Sequence, residues 1–404
     1  MDVIPGFKQS AVGLIPAEWE AKRLGELGSV VRGGSPRPAG DPRYFNGDFI
    51  PWLTVAALTN IPDHQLRVTE TASALTEEGS KRSRTLVNGT VIIANSGATL
   101  GVAKLLGVTC CANDGIAAIT NQRSGNKAFV CHYINTRTKR LREVVASGNG
   151  QPNLNTALIR EIPIPFPPLP EQLAIAGALS DVDALLGALD RLIAKKRDLK
   201  QAAMHQLLTG QTRLPGFHGE WEVKRLGTLL RFQVGFPFSS AFFNEKGEGI
   251  RLVKNRDLKS DDQIFHYSGK YDEAFVVRDD DVLIGMDGDF RPCLWNKGSA
   301  LLNQRVGRLV PKEGLNSRFA FYVLIEPLKA IEVVTSSTTV KHLSHGDAEG
   351  IEISMPEFPE QAAIAEVLSD MDAELATLAQ RRDKTRALKQ AMMQELLTGR
   401  TRLA

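Results

Sequence analysis

The sequence has 404 residues, of which 43% are apolar and 24% are charged, and its formal net charge is +3. These values are ordinary for a soluble globular chain of two or three domains. Because the charge is nearly balanced, composition alone neither requires nor excludes a nucleic-acid partner. The first residues lack a basic segment and an apolar signal core, and no apolar run has membrane-span length, so we expect a cytoplasmic protein.

The first 160 residues predict a variable domain of mixed secondary structure, rich in short strands. Short β-branched runs, such as residues 90–93, lie between Gly, Asn and Asp turns, which is typical of strands. A helix is predicted around residues 128–145.

Residues 161–214 predict a linker followed by a long helix. Leu179, Val182, Leu186, Leu189 and Ile193 are separated by three or four residues, which is the seam of a coiled coil. We expect the helix to begin near residue 170, where a proline fits the first turn, and to end before the glycine at residue 210.

The same order then repeats. Residues 215–350 predict a second mixed domain, with a helix over residues 318–334, and residues 351–404 predict a second linker and helix.

The second linker and helix repeat much of the sequence of the first. Residues 359–403 match residues 170–214 at 27 of 45 positions without a gap, and WEAKRLG at residues 19–25 returns as WEVKRLG at 221–227. The second seam consists of Ile364, Leu368, Met371, Leu375 and Leu378. The chain is therefore a duplicated domain-plus-helix unit.

Two apolar seams in one chain can be buried against each other. If the helices pack antiparallel, the chain acquires an approximate two-fold axis, and helix length fixes the distance between the two domains. The predicted fold is α+β, with two mixed α/β domains separated by two long helices packed as an antiparallel coiled coil.

This layout resembles the specificity subunit of type I restriction–modification enzymes. The resemblance is carried by WEAKRLG at residues 19–25, GGSP at 33–36, PPLPEQ at 167–172, LLTG at 207–210, PGF at 215–217 and their second copies. The second copy departs at residues 355–361, which read MPEFPEQ, and at residues 235–238, which read GFPF. The match extends over essentially the whole chain.

The resemblance implies two target recognition domains, each of which reads half of a bipartite DNA site, and no catalysis by this chain. The implied partners are double-stranded DNA, two methyltransferase (modification) subunits and restriction/translocase subunits. S-adenosylmethionine, ATP and magnesium would be bound by those partner subunits. Because the two variable domains differ, the site should have two unlike halves separated by an unread spacer.

Candidate DNA contacts lie in loops rich in the residue types that read base edges or hold phosphates. In the first variable domain they are Arg32, Ser35, Arg37, Lys81, Arg84, Asn95, Ser96, Thr99, Asn149, Gln151 and Asn153. In the second they are Lys254, Asn255, Arg256, Asp287, Arg291, Asn303, Gln304, Arg305, Ser337, Thr338 and Lys341. Each of these loops could instead be an ordinary polar turn.

The motifs of the sequence also bear on the alternatives to this interpretation. The sequence contains no G-x-G-x-x-G loop, no G-x-x-x-x-G-K-[ST] loop and no Asn-Pro-Pro-aromatic motif, which argues against a self-contained methyltransferase or nuclease. His342 and His345 have a spacing seen in metal sites, but no Cys or Asp set completes one, so no metal is expected. An adaptor that joins partners without DNA, and an orphan or exchange subunit that serves another system, stay open.

Overall fold

The structure of the chain is a computed structural model that describes residues 5–146, 153–334 and 342–403. It divides into two compact units, Met1–Ile193 with Leu378–Ala404, and Ala194–Thr377. Each unit contains one variable domain, the first part of the long helix that follows it, and the second part of the other long helix. The predicted domain limits at residues 160, 214 and 350 mark where variable sequence meets repeated sequence, and they stay a prediction.

Among its described residues, the first unit contains two larger sheets, two sheets of two strands each and six short helices, followed by a long helix. In chain order the elements are β1 Phe7–Ser10, β2 Gly13–Pro16, β3 Glu20–Arg23, α1 Leu24–Leu27, β4 Ser29–Arg32, β5 Phe45–Leu53, α2 Val55–Thr59, β6 Arg67–Val68, β7 Ser73–Leu75, α3 Glu77–Lys81, β8 Arg84–Leu86, β9 Val91–Ala94, β10 Ala103–Leu106, β11 Cys110–Ala112, β12 Ile116–Thr120, α4 Lys127–Thr136, α5 Thr138–Ala146, α6 Thr156–Glu161, β13 Pro163–Phe166 and α7 Leu169–Leu208.

The sheet orders in the first unit are β4-β12-β9-β10-β6 and β7-β5-β11-β8, with β5 and β11 parallel. Successive residues of β9 enter two different apolar clusters: Val91 and Ile93 pack with Trp19 and the long helices, and Ile92 and Ala94 pack towards the second sheet. The strand is thus buried on both faces, which explains why its sequence is continuously apolar rather than alternating.

The second unit repeats this plan. Its elements are β14 Glu222–Arg225, α8 Leu226–Leu229, β15 Leu230–Val234, a 3₁₀ turn Ser240–Phe242, β16 Phe243–Asn244, β17 Ile250–Val253, a 3₁₀ turn Asn255–Leu258, β18 Phe265–Tyr267, a 3₁₀ turn Glu273–Phe275, β19 Val276–Val277, β20 Val282–Gly285, β21 Pro292–Leu294, β22 Ala300–Leu302, β23 Val306–Pro311, α9 Ser317–Val323, α10 Ile325–Val334, α11 His345–Glu349, β24 Glu352–Met355 and α12 Phe358–Leu396. The sheet orders are β15-β23-β20-β21 and β16-β18-β17-β22-β19, with β17 and β22 parallel.

The two shorter predicted helices are each broken into two. Residues 128–145 belong to α4 and α5, which are separated at Arg137, and residues 318–334 belong to α9 and α10, which are separated at Leu324. In the second unit the break has a local cause, because Pro327 has no N–H to donate to the carbonyl of Val323. A single continuous helix was therefore the wrong prediction in both places.

The two long helices lie where the sequence predicts them. Gly210 and Gly399, just beyond their ends, have φ of 71° and 72°, the left-handed conformation that closes a helix at low cost to glycine. The buried seam positions on α7 are Leu179, Leu186, Leu189 and Ile193, at most 4% exposed, with Val182 half-buried. On α12 the seam residues Ile364 and Leu368 are buried, and Met371, Leu375 and Leu378 are half-buried.

Within each unit the two helices pack antiparallel. In the first unit Lys389 Nζ lies 2.6 Å from Asp183 Oδ1, and Arg382 lies 3.8 Å from Asp190, so residue numbers fall along α12 as they rise along α7. In the second unit Lys196 pairs with Glu374 at 2.7 Å, and Lys200 pairs with Asp372. The predicted antiparallel pairing is confirmed in both units.

Helix α7 also meets the length and composition of a membrane span. Its most apolar window has a mean hydropathy of 1.4, but 44% of that window is buried inside the protein. A core helix of a soluble protein has the same properties, so the signal is weak.

The repeated sequence motifs meet in a cluster that occurs once per unit. In the second unit Arg213 donates from Nε and Nη2 to the two oxygens of Glu360, at 2.6 Å each, and Trp221 Nε1 donates to the same carboxylate at 3.3 Å. In the first unit Arg402 and Trp19 hold Glu171 in the same way. We call each group a Trp–Glu–Arg cluster.

The junction between domain and helices differs between the units at one buried position. Tyr322 lies six residues after the N-cap Asn316 and donates its hydroxyl to Asp372 at 2.7 Å. His132 lies six residues after the equivalent N-cap Asn126, and its Nε2 has no hydrogen-bond partner among the described residues. Burial, assisted by Lys389 and Lys104, lowers the pKa of His132 to about 3. The ring is therefore neutral in the folded protein.

We expect the first unit to lose stability on acidification because of His132. An unfolded histidine binds its proton near pH 6.5, so the unfolded state carries more protons between pH 6.5 and about 3. The contribution of the neutral His132 ring to the free energy of unfolding is complete above pH 6.5. It falls by up to about 1.4 kcal/mol per pH unit below that pH. Hydrogen exchange of α4 between pH 4 and 7 should show this slope in the wild type, and His132→Tyr should flatten it. A slope unchanged by His132→Tyr, or equally changed by the exposed control His218→Gln, would contradict the assignment.

Candidate nucleic-acid interface

In the first unit, four predicted contact residues gather around Asp114, in the turn between β11 and β12. The Asp114 carboxylate accepts a hydrogen bond from Ser35 Oγ at 2.7 Å and pairs with Arg37 at 3.9 Å. Its backbone carbonyl accepts from Arg32 Nε and from Asn95 Nδ2. Through its carboxylate and its backbone carbonyl, Asp114 thus connects its own turn to the segment at residues 32–37 and to the end of β9.

Two further predicted residues border the same turn. Arg84 Nε donates to the backbone carbonyl of Arg32 at 2.7 Å, which fixes the start of β8 against the end of β4. Ser96 Oγ lies 3.0 Å from the place where a Cβ on Gly115 would stand. The loops near residues 32, 84 and 114 therefore adjoin one another and form one surface, whereas Asn95 is buried, with 1% exposure.

Lys81, Thr99 and Asn153 are less clearly part of this surface. Lys81 belongs to the last turn of α3, where it pairs with Glu77 at 2.9 Å, so the predicted loop over residues 81–84 is partly helix. Thr99 Oγ1 is buried and has no hydrogen-bond partner in the described part of the chain. Asn153 is exposed and begins a described segment. Asn149, Gln151, Ser337, Thr338 and Lys341 lie outside the described residues.

In the second unit, seven of the eight predicted contact residues that the structure describes border one open cavity of about 490 Å³. Its lining consists of Lys254, Asn255, Arg256, Asp287, Asn303, Gln304 and Arg305, together with Phe265. Arg291 borders a neighbouring cavity that shares Asn255. The side chains come from three stretches of sequence, which end at this surface because β17, β20 and β22 lead to it.

Charge in the second surface is organised by Asp287. Its Oδ1 contacts His342 Nδ1 at 2.9 Å and Arg305 at 3.3 Å, so His342 is a side-chain contact of Asp287 here. Lys254 lies over the ring of Phe265, with Nζ 3.2 Å from the ring centroid. Burial, followed by the nearby Arg256, lowers the pKa of Lys254. The surface thus presents cations held in place by one carboxylate and one aromatic ring.

The backbone frame beneath the two surfaces is the same. Asn95 N donates to Gly115 O at 3.0 Å and Met286 N donates to Arg305 O at 2.9 Å. A glycine faces the turn in each unit, since a Cβ on Gly33 would lie 2.2 Å from Asn113 O and one on Gly235 would lie 2.1 Å from Asn303 O. Equivalent turns therefore carry different side chains, Asn-Asp-Gly at residues 113–115 and Asn-Gln-Arg at 303–305.

Sequence reasoning missed two features of this interface. Asp114 was overlooked, although Asn-Asp-Gly is a strong turn signal between two strands. Phe265 was overlooked because apolar residues were left out of the candidate set.

Comparison with known proteins agrees with this geometry. The family model for the type I restriction modification DNA specificity domain matches residues 16–195 and 218–385. The EcoBI specificity subunit of Escherichia coli is 34% identical over 192 residues, which are 46% of this chain and 40% of that protein. The putative MjaX specificity subunit of Methanocaldococcus jannaschii is 25% identical over 98% of this chain and 97% of its own length.

A solved structure shares the fold. The crystal structure of the type I restriction–modification S subunit from M. genitalium covers 98% of both chains, with a TM-score of 0.63 and 15% identity. Because the two family matches together span most of the sequence, the chain belongs to the type I restriction–modification specificity subunits, with two DNA-recognition domains.

Proposed function

We propose that the chain is the non-catalytic specificity subunit of a type I restriction–modification complex, and that each unit reads one half of an asymmetric, bipartite DNA site. The observation that carries this proposal is the pair of equivalent turns at residues 113–115 and 303–305. Both turns rest on the same backbone hydrogen bonds and face a glycine, yet their side chains differ. Two turns with the same backbone arrangement but with different hydrogen-bond donors and acceptors in their side chains suit two unlike half-sites.

The residue types at the two surfaces suit base reading. Gln304 and Arg305 are exposed at the tip of their turn, and glutamine and arginine are the usual readers of adenine and guanine in the major groove. Arg32 and Arg37 surround Asp114 in the first unit. A carboxylate among the cations repels phosphates and accepts hydrogen bonds from base amino groups, which favours selective over indiscriminate binding.

Two methyltransferase subunits are the proposed helix-binding partners. Leu199 and Leu388 are equivalent positions of the repeat, and they are 48% and 56% exposed. Leu169 and Phe358 form a second equivalent pair, 54% and 50% exposed. Exposed apolar side chains that occur at the same places in both copies favour two copies of one partner.

The remaining activities are assigned to partners. S-adenosylmethionine would be bound by the methyltransferase subunits, and ATP and magnesium by restriction/translocase subunits. The two long helices would set the unread spacer of the site, and the complex would act on DNA in the cytoplasm.

The proposal is tested by mapping adenine methylation. Cells that express this chain with the methyltransferase subunit of its own system should gain one asymmetric motif with a fixed gap, relative to cells that express the methyltransferase alone. The doubly substituted chain Gln304→Ala/Arg305→Ala should change bases on one side of the gap and leave the other side unchanged. No new methylation with both proteins soluble and associated would refute the specificity role and favour the adaptor.

A further inference from the structure

One exposed aromatic side chain stands directly beside the turn at residues 303–305. Phe236 is 46% exposed. Its backbone N donates to Leu302 O at 2.9 Å, and its carbonyl accepts from Gln304 N at 3.0 Å. Phe236 is therefore attached by its backbone to the same turn that presents Gln304 and Arg305.

The ring of Phe236 is held in place by two other rings. Its centroid lies 5.1 Å from that of Phe238 and 5.2 Å from that of Phe275, with interplanar angles of 63° and 51°. Such tilted pairs are favourable aromatic arrangements. A fixed, half-exposed phenyl ring offers a preformed apolar contact to a partner without a further loss of side-chain entropy.

Charge around the ring favours DNA as that partner. Gln304, whose N–H is bonded to Phe236, borders the cavity that is also lined by Lys254, Arg256 and Arg305. These cations would bring the phosphates of a duplex to this side of the unit. Among the bases, thymine alone presents an apolar group in the major groove, its C5-methyl, and phenylalanine is one of the side chains that contact it.

At the position equivalent to Phe236, the first unit has a glycine instead of an aromatic ring. Gly33 and Gly235 occupy equivalent places, each facing the carbonyl of Asn113 or Asn303. The residue that follows is Gly34 in the first unit and Phe236 in the second. An apolar base contact at this position is thus available to one half-site only.

We propose that Phe236 contacts the C5-methyl group of a thymine in the half-site that the second unit reads, and so acts as a specificity-determining residue. This inference rests on the proposed function. Phe236 would select thymine over cytosine by apolar contact, beside the hydrogen bonds made by the neighbouring turn.

The experiment uses the full chain in complex with its methyltransferase subunits, on duplexes that carry the mapped site. Each thymine of the site is replaced in turn by deoxyuridine, which lacks only the methyl group. One replacement in the second unit's half-site should weaken binding about fivefold, the effect of exposing one methyl group. Phe236→Ala should weaken binding to the normal site by a similar factor.

Binding of the Phe236→Ala variant to the deoxyuridine duplex, in which both changes are combined, decides the proposal. Phe236→Ala should bind the critical deoxyuridine duplex no worse than the normal one, because the contact is already lost. Phe242→Ala is the matched control, since Phe242 is 48% exposed but lies edge-on to Tyr267, and its backbone bonds to Ser239 and Ser268 instead of the turn. It should keep the full deoxyuridine effect. Additive effects, no sensitive thymine, or a half-site without thymine would overturn the proposal. Absence of any sequence-selective binding by the wild-type complex would instead refute the proposed function.

Discussion

Replacing Gly235 by alanine is expected to abolish reading of one half-site while the other half-site stays readable. An added Cβ would lie 2.1 Å from Asn303 O and 2.6 Å from Leu302 O, closer than any van der Waals contact. The backbone cannot yield without moving the turn that carries Gln304 and Arg305. Because both proposed base contacts would be misplaced, affinity for the complete site should fall about 30-fold or more, at roughly 1–3 kcal/mol per contact.

The measurement is binding of the assembled complex to duplexes in which either half-site has been scrambled. For Gly235→Ala, scrambling the second unit's half-site should make no further difference, and scrambling the first unit's half-site should remove the remaining selectivity. Gly33→Ala should give the mirror result, because its Cβ would lie 2.2 Å from Asn113 O.

Two controls separate a moved turn from an unfolded unit. Gly346→Ala lies in α11 of the same unit, where the nearest atom to a new Cβ is 3.9 Å away, and should leave binding unchanged. Gln304→Ala/Arg305→Ala removes the reading side chains without a clash and should reproduce the loss. Equal reading of both half-sites by Gly235→Ala would contradict the placement of the interface.

The sequence predicts the ends of the long helices to within about two residues because their signals are local. Proline and glycine mark the ends, and the three-and-four spacing of leucines marks the buried face. The duplication predicts that two such helices exist, and the exposed seam of a lone helix requires a partner. The ion pair between Asp183 and Lys389, by contrast, could not be predicted from the sequence, because it depends on how the two helices are aligned with each other.

The candidate interface could be predicted from the sequence only as separate loops, because it is assembled by strand pairing over long separations. Ser35 meets Asp114 across 79 residues since β4 and β12 are neighbours in one sheet. Residue type and loop position pointed to Arg32 and Arg305, but nothing local indicates that Asp114 or Phe236 lies beside them. The break between α4 and α5 at Arg137 could not be predicted either, since no proline or glycine lies at that position.

Replacing Arg213 by alanine is expected to destabilise the second unit more than the loss of an exposed ion pair would, because the carboxylate that Arg213 holds is itself buried. Glu360 is 2% exposed, and it would keep only the Trp221 N–H as a hydrogen-bond donor among the contacts that now hold it. Arg225 pairs with Glu352 at 3.6 Å, but both side chains are exposed. Arg225→Ala should therefore cost less than about 1 kcal/mol.

Hydrogen exchange resolves the effect by unit, which a single unfolding curve of the whole chain would not. Arg213→Ala should lower protection in α9 and leave α4 of the first unit unchanged, and Arg402→Ala should do the reverse, because Arg402 holds Glu171 there. Adding Glu360→Gln to Arg213→Ala should restore part of the loss, since the buried charge is then gone. If Arg213→Ala proves no worse than Arg225→Ala, the Trp–Glu–Arg cluster does not hold the repeated motifs together. If the double variant recovers nothing, the loss comes from packing of the arginine on Trp221 and not from the uncompensated carboxylate.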